Sequence, residues 1–244
     1  WRWHIPLQHR VGCGLVFSSQ HMSDDEATAK LVRDAAAPAV REPWLVPFRT
    51  GRRLKAWNKN VVALGLAAGF IEPLESTSIH LAISGLVRLI HMFPSRGITD
   101  SVVERYNRVS RAEMEHVRDF IILHYHANQR DEALWRECRE MTLPDGLAER
   151  IQLFRDRAHV WQGDDELFRL DSWTHVMIGQ GIMPADHHPV ARALPDADLG
   201  RLFEAIRKPI NAAVQNMPSH QAFLERYCPA DSSVWHKLGP AVGA

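Results

Sequence analysis

The hydrophobic pattern of this 244-residue chain changes near residue 76, and that change limits the folds that the chain can adopt. From Ser76 onward, the apolar residues recur with the 3.6-residue period of amphipathic helices. Before it, apolar runs are short and are interrupted by glycine, proline and polar residues, as in mixed strand and helix. The pattern predicts the α+β class: short mixed strands over residues 1–75, followed by a mainly helical subdomain over residues 76–244.

The first part of the chain contains several strand signals and one helix signal. Ser23 followed by three acidic residues indicates a helix N-cap, and we expect that helix to continue to about Ala36. Residues 60–71 begin as a buried strand, and their small side chains would let the backbone approach another segment closely. Further strands are expected at 11–17, 44–48 and 54–57, the last two paired through a turn at Gly51.

The second part of the chain contains only helix signals. One apolar stripe begins near Ser76 and is ended by Pro94, and a long helix follows Thr99 and continues to about Ala127. Pro209 should break or kink the last helix, because proline lacks the N–H group that a helix interior needs. The remaining expected helices are 131–141, 145–157, 171–179 and 196–208.

Charge and composition exclude several classes of protein. The 29 basic residues balance 29 acidic ones, so nucleic acid is not an expected partner. The longest uncharged runs are about a dozen residues, shorter than the ~20 of a transmembrane helix, so no membrane partner is expected. Three widely spaced cysteines are typical of reduced thiols in a cytoplasmic protein. No metal site is expected, because His124 and His126 point about 200° apart on a helix.

Residues 69–81 carry the clearest chemical signal. A loop of small residues is followed by a proline, by the polar step of Glu75, Ser76, Thr77 and Ser78, and then by an apolar helix. Backbone N–H groups at a helix start have no acceptor within the helix, so this step can form an anion site. The same pattern fits a simple helix cap with Glu75 complementing the dipole, and the spacing leaves both interpretations open.

Four short motifs, taken in order, give the chain a resemblance to flavin-dependent halogenases. Residues 1–6, Trp-Arg-Trp-His-Ile-Pro, match the WxWxIP signature of that family, and residues 69–81 resemble its GF(I/V)EPLEST segment. Residues 57–60, Trp-Asn-Lys-Asn, and residues 173–184 also look like the family. The resemblance extends to about residue 228. The chain is therefore similar to the C-terminal portion of a member of the tryptophan halogenase family, from WxWxIP onward.

This resemblance implies a fold and an activity. The fold would be the C-terminal part of an FAD-monooxygenase-like fold, with residues 1–75 in the α/β domain that binds FAD and substrate. Reduced FAD, oxygen, and chloride or bromide would halogenate an electron-rich aromatic substrate, indole- or phenol-like. A flavin reductase would be the partner, and a homodimer is compatible with the family. Two alternatives stay open: a flavin-dependent aromatic hydroxylase, and a non-catalytic helical interaction module derived from a halogenase.

The resemblance also implies roles for individual residues. Glu75 matches the family's catalytic glutamate, and Thr77 and Ser78 match the positions whose backbone N–H groups bind halide. Most tryptophan halogenases have glycine where this chain has Ser78, so the added side chain bears on halide preference. The positions that match the flavin site are Trp1, Trp3, Ile5, Pro6, Gly65, Leu66, Pro73, Ser76 and Ile79.

Two parts of the family's site have no match in this chain. The dinucleotide-binding GxGxxG motif and the lysine that works with the glutamate lie N-terminal to WxWxIP in the family. None of the five lysines present stands in that context. The aromatic and acidic cluster with which some members hold free tryptophan has no convincing equivalent either. We expect these 244 residues alone to be inactive.

Overall fold

The computed structural model describes residues 1–7, 10–35, 37–163 and 166–228. Contacts divide the chain into two compact units, Trp1–Pro43 with Val190–Ala244, and Trp44–Pro189. These units do not follow the predicted division at residue 75. That division concerned the domains of a longer protein, and it stays a prediction.

The first unit begins with a hairpin and a capped helix. The antiparallel strands are β1, Arg2–Pro6, and β2, Val11–Leu15, and the helix α1 is Asp24–Arg33. The Ser23 hydroxyl accepts a hydrogen bond from the Glu26 N–H, and the Glu26 carboxylate accepts one from the Ser23 N–H. This reciprocal capping box confirms the predicted start of the helix. The predicted end, Ala36, lies outside the described residues, and α1 ends at Arg33.

Glycines of β2 make room for a tryptophan of β1. A Cβ atom added at Gly14 would lie 2.2 Å from the ring of Trp3. The indole ring therefore covers the backbone at Gly14, which only glycine permits at this separation. The hairpin thereby fixes the position of the second tryptophan of the WxWxIP motif.

The second unit opens with two short antiparallel strand pairs. Strands β3 to β6 are, in order, Gly51–Arg52, Trp57–Asn58, Val61–Val62 and Gly69–Phe70. β3 pairs with β6, and β4 pairs with β5. The predicted pairing of 44–48 with 54–57 is therefore wrong. Residues 60–71 begin with a strand as predicted, but Val61 of β5 is 63% exposed, so the predicted burial is wrong. A 3₁₀ turn at Gly65–Ala67 then separates β5 from β6.

The pairing of β3 with β6 requires glycine at one position. A Cβ atom added at Gly69 would lie 2.7 Å from the Gly51 carbonyl oxygen and 2.9 Å from the Arg52 Cα, whereas one added at Gly51 meets no described atom within 4 Å. We expect Gly69→Ala to lower the free energy of unfolding by about 1–3 kcal/mol, because backbone atoms must move. The matched control Gly51→Ala should change it by less than about 0.5 kcal/mol. Urea denaturation measures both, and a wild-type midpoint for Gly69→Ala would contradict the close approach.

Five helices complete the second unit, and all five were predicted. In order, α2 to α6 are Ser78–His91, Asp100–His126, Ala133–Glu140, Asp145–Arg157 and Leu170–Gly179. The 27-residue helix α3 is the central element, since its C-terminal half packs against α5 and α6. Its buried apolar residues include Tyr106, Val117, Phe120, Ile121 and Leu123.

The first unit ends with helices that sequence reasoning described only in part. They are α7, Pro189–Arg192, α8, Asp196–Asn216, and α9, His220–Tyr227. Pro209 does not break the helix, because the 21-residue α8 continues through it to Asn216, and the alternative of a kink there stays a prediction. A proline removes one hydrogen bond from a helix, and a long helix keeps the bonds of the turns on either side. Across the described ranges, no helix is long and apolar enough to span a bilayer.

Candidate functional site

Residues 69–81 form a tight connection between β6 and α2. Pro73–Glu75 is a 3₁₀ turn, Ser76 follows with a left-handed φ of 54°, and Thr77 is the N-cap of α2. A left-handed φ is uncommon for residues other than glycine, and such residues often mark functional segments. The reversal at Ser76 places the Glu75 carboxylate and the N-terminus of α2 within one short segment.

The N-terminus of α2 has backbone donors without a partner in the helix. Thr77 is 4% exposed, and neither its N–H nor that of Ser78 has an acceptor among the described residues. These donors lie at the positive end of a 14-residue helix, where the macrodipole favours negative charge. The structure thus brings the two predicted halide positions together at one helix terminus.

Glu75 is paired with a histidine of α3. His124 Nε2 lies 2.9 Å from Glu75 Oε1, and His124 Nδ1 lies 2.8 Å from the Phe120 carbonyl oxygen. A neutral imidazole carries one N–H, whereas an imidazolium carries two and can donate to both acceptors. The side chains of His124 and Glu75 are 17% and 28% exposed, so water screens this pair only partly.

The surroundings of His124 favour its charged form. Burial is the largest effect and lowers the pKa of the imidazole. The hydrogen bonds to Glu75 and to the Phe120 carbonyl, with the negative charges of Glu75 and Glu72, outweigh burial and raise the pKa above 6.5. The imidazolium therefore persists to a higher pH than in a free histidine, and the ion pair is lost as the pH rises through the raised pKa.

A second acid of the same segment is bound by the next residue of α3. Glu72 is 8% exposed, and its Oε1 accepts a hydrogen bond from the Leu74 N–H at 3.2 Å. Its Oε2 accepts a hydrogen bond from the Tyr125 hydroxyl at 3.0 Å. Successive helical residues point about 100° apart, so His124 and Tyr125 hold the segment at two separate places.

The predicted flavin-site residues fall into two groups. Trp1, Trp3, Ile5 and Pro6 belong to the first unit, and Gly65, Leu66, Pro73, Ser76 and Ile79 belong to the second. Leu66 and Ile79 are 71% and 74% exposed. Such exposed apolar side chains offer a surface to an apolar ring system. The assignment of all nine residues to the flavin site stays a prediction.

Sequence reasoning missed the partners of the two acids. His124 was considered only with His126 as a metal site, and no partner was predicted for Tyr125. One signal was available, because His124 follows Phe120 by four residues and therefore lies on the buried face of α3. Within the part of the chain that the structure describes, no group of three His, Cys, Asp or Glu residues is arranged to hold a metal ion.

The motifs, the fold and this site define a member of a known enzyme family. The family profile described as tryptophan halogenase matches residues 1–196. The chain belongs to the tryptophan halogenase family, which confirms the resemblance of its motifs. Its sequence is 34% identical to tryptophan 7-halogenase KtzQ of Kutzneria sp. (strain 744), and the match covers 93% of this chain and 46% of KtzQ.

Solved structures of flavin-dependent halogenases share this fold. Xcc4156 from Xanthomonas campestris is 47% identical with a TM-score of 0.91, and the match covers 95% of this chain and 47% of Xcc4156. BrvH from Brevundimonas sp. BAL3 is 44% identical with a TM-score of 0.86, over 92% of this chain and 46% of BrvH. The α+β class is confirmed. The chain spans about half the length of these relatives.

Proposed function

We propose that the full-length protein, meaning this chain with the sequence that flanks it in the gene product, is a flavin-dependent halogenase. Its substrate would be an electron-rich aromatic compound, indole- or phenol-like. One observation supports the proposal most directly. A single short segment contains both the Glu75 carboxylate, which is bound by His124, and the N–H donors of Thr77 and Ser78. Halogenation needs both groups, since halide needs an anion site and the aromatic ring must release a proton.

The residues present in the second unit fit a flavin. Leu66 and Ile79 are large, apolar and exposed, and would contact the isoalloxazine ring. Gly65 has a positive φ of 55°, and only Ala82 Cβ, among the described atoms, would meet an added Cβ there. Its backbone is therefore open to the ribityl or phosphate part of the cofactor. When bound, reduced FAD supplies the reaction with oxygen that oxidises halide to hypohalous acid.

Each group of the segment then has one task. The N–H groups of Thr77 and Ser78 hold the halide before it is oxidised. When the substrate carbon bonds to the halogen of hypohalous acid, the halogen–oxygen bond breaks and the oxygen leaves as water once protonated. The ring carbon then loses its proton, and the Glu75 carboxylate is the base positioned to accept it. A flavin reductase supplies reduced flavin from outside the site.

The substrate expected from the sequence is not free tryptophan. KtzQ is described as a tryptophan 7-halogenase, and Xcc4156 and BrvH only as flavin-dependent halogenases. Xcc4156 and BrvH are more similar to this chain in sequence than KtzQ is. This difference agrees with the absence from the sequence of a convincing cluster for holding the amino acid. We therefore propose indole- or phenol-like compounds ahead of tryptophan.

Halide dependence tests the proposed function. The full-length protein is incubated with a flavin reductase, oxygen and a panel of indole, phenol and tryptophan, with and without bromide. We expect a brominated product from indole or phenol that is absent when bromide is omitted. A hydroxylated product that forms without bromide would instead identify an aromatic hydroxylase. No consumption of reduced flavin would indicate a non-catalytic interaction module.

A further inference from the structure

We propose that His124 is a positioning residue for halogenation: as an imidazolium, it holds the Glu75 carboxylate in one orientation. This inference rests on the proposed function, because Glu75 has its chemical role only there. It adds a second cation to the site, beside the lysine that the family carries outside this chain.

The orientation of His124 is itself fixed by α3. Its Nδ1 donates to the Phe120 carbonyl oxygen, one helical turn earlier, at 2.8 Å. The Phe120 ring packs edge-on against the imidazole, with ring centroids 4.9 Å apart. Phe120 in turn stacks on Phe168 at 3.8 Å and contacts Trp173 at 4.8 Å, both beside the apolar core. Because the core holds the His124 ring in place, the ring in turn fixes the position of the Glu75 carboxylate.

The pairing leaves one oxygen of Glu75 for the substrate. Oε1 of Glu75 is 2.9 Å from His124 Nε2, whereas its Oε2 has no hydrogen-bond partner among the described residues. A carboxylate bound through one oxygen presents the other at a defined place. Since a base must lie within hydrogen-bond reach of the proton that it accepts, this orientation bears directly on the rate.

The charge of His124 matters as much as its shape. The charged groups that act on it are Glu75 and Glu72, both from the same short segment, while the core beside Phe120 is apolar. The imidazolium is attracted by both carboxylates, and this attraction adds to the hydrogen bond that orients Glu75. Loss of the imidazolium proton would leave Glu75 with one hydrogen bond from a neutral partner or with none.

Three variants of the full-length protein test this role. His124→Leu removes both N–H donors, and His124→Gln keeps a neutral amide donor for Glu75. His126→Gln is the control, because the Nδ1 of this second histidine of α3 lies 3.3 Å from the Cys138 carbonyl oxygen, a backbone group and not an acid. Brominated product, consumption of reduced flavin and the pH profile of product formation are measured for each. We expect His124→Leu to lower product formation by roughly tenfold to hundredfold while reduced flavin is still consumed.

The conservative variant His124→Gln distinguishes a role in positioning Glu75 from a role in stabilising the fold. His124→Gln keeps a donor but not the charge, so it should recover only part of the product that His124→Leu loses. Its profile should lack the decline at high pH that the wild type shows when His124 loses its proton. His126→Gln should keep the wild-type amount of product and the wild-type pH profile. Wild-type product from His124→Leu, or an unchanged high-pH decline in His124→Gln, would overturn the role of His124. A wild-type protein that forms no halogenated product would overturn the proposed function itself.

Discussion

Glu75→Gln in the full-length protein is expected to abolish halogenation while reduced flavin is still consumed by oxygen. Glutamine keeps the shape of the side chain but removes the negative charge, so the pair with the His124 imidazolium and the proton acceptor are both lost. A general base contributes about 10²–10⁴-fold to a rate, and we expect a loss of this size. Chromatography with mass spectrometry measures the product, and flavin absorbance measures the consumption of reduced flavin.

Glu115→Gln is the matched control for this variant. It also removes one carboxylate charge from an ion pair of α3, because Glu115 Oε1 lies 2.7 Å from an Arg52 nitrogen. The Arg52 and Glu115 side chains are 26% and 38% exposed, so water screens the pair in part, and Glu115 is not in the 72–78 segment. We therefore expect product formation within roughly twofold of the wild type. Wild-type halogenation by Glu75→Gln would contradict the role of Glu75.

Ser78→Pro is expected to abolish the use of halide, because proline removes the backbone donor itself. Ser78 is the first residue of α2, a position where the fixed φ of proline suits a helix. Proline at position 78 would destabilise the conformation of the preceding residue. Thr77 has a φ of −82° and a ψ of −8°, a region that a following proline disfavours. Circular dichroism therefore accompanies the measurement, which is the bromide concentration dependence of product formation.

Three variants that keep the donors are the controls for Ser78→Pro. Ser78→Ala and Thr77→Ala retain both N–H groups, so each should weaken the use of bromide by no more than about threefold. Ser78→Gly restores the residue usual in tryptophan halogenases and should leave bromide use intact. A folded Ser78→Pro variant with the bromide dependence of the wild type would show that halide is not held at this helix terminus.

The helices could be predicted because their signals are local. The cap at Ser23, the apolar stripe of α2 and the start of α3 after Thr99 each depend on residues within a turn or two of one another. The strand pairs of the second unit could not be predicted, because each of these strands has only two residues. What pairs β3 with β6 is the close approach of Gly69 to Gly51, which the order of the residues does not reveal.

In the candidate site, too, the local features could be predicted and the long-range contacts could not. A proline and a polar step before an apolar stripe are a local helix-start signal, so the donors at Thr77 and Ser78 were predicted from the sequence. The partners of Glu72 and Glu75 were not predicted from the sequence, since Tyr125 lies 53 residues from Glu72 along the chain. Only the packing of α3 against the 72–75 segment brings the acids to His124 and Tyr125.

The position of the halide tests the account most directly. Crystals of the full-length protein with flavin bound are soaked in bromide, and anomalous diffraction locates the ion. The flavin is needed, because a helix terminus alone contributes only about 0.3–2 kcal/mol toward binding an anion. We predict an anomalous peak beside the backbone N–H groups of Thr77 and Ser78. Bromide bound elsewhere in the flavin-loaded crystal, with no peak at this step, would contradict the account.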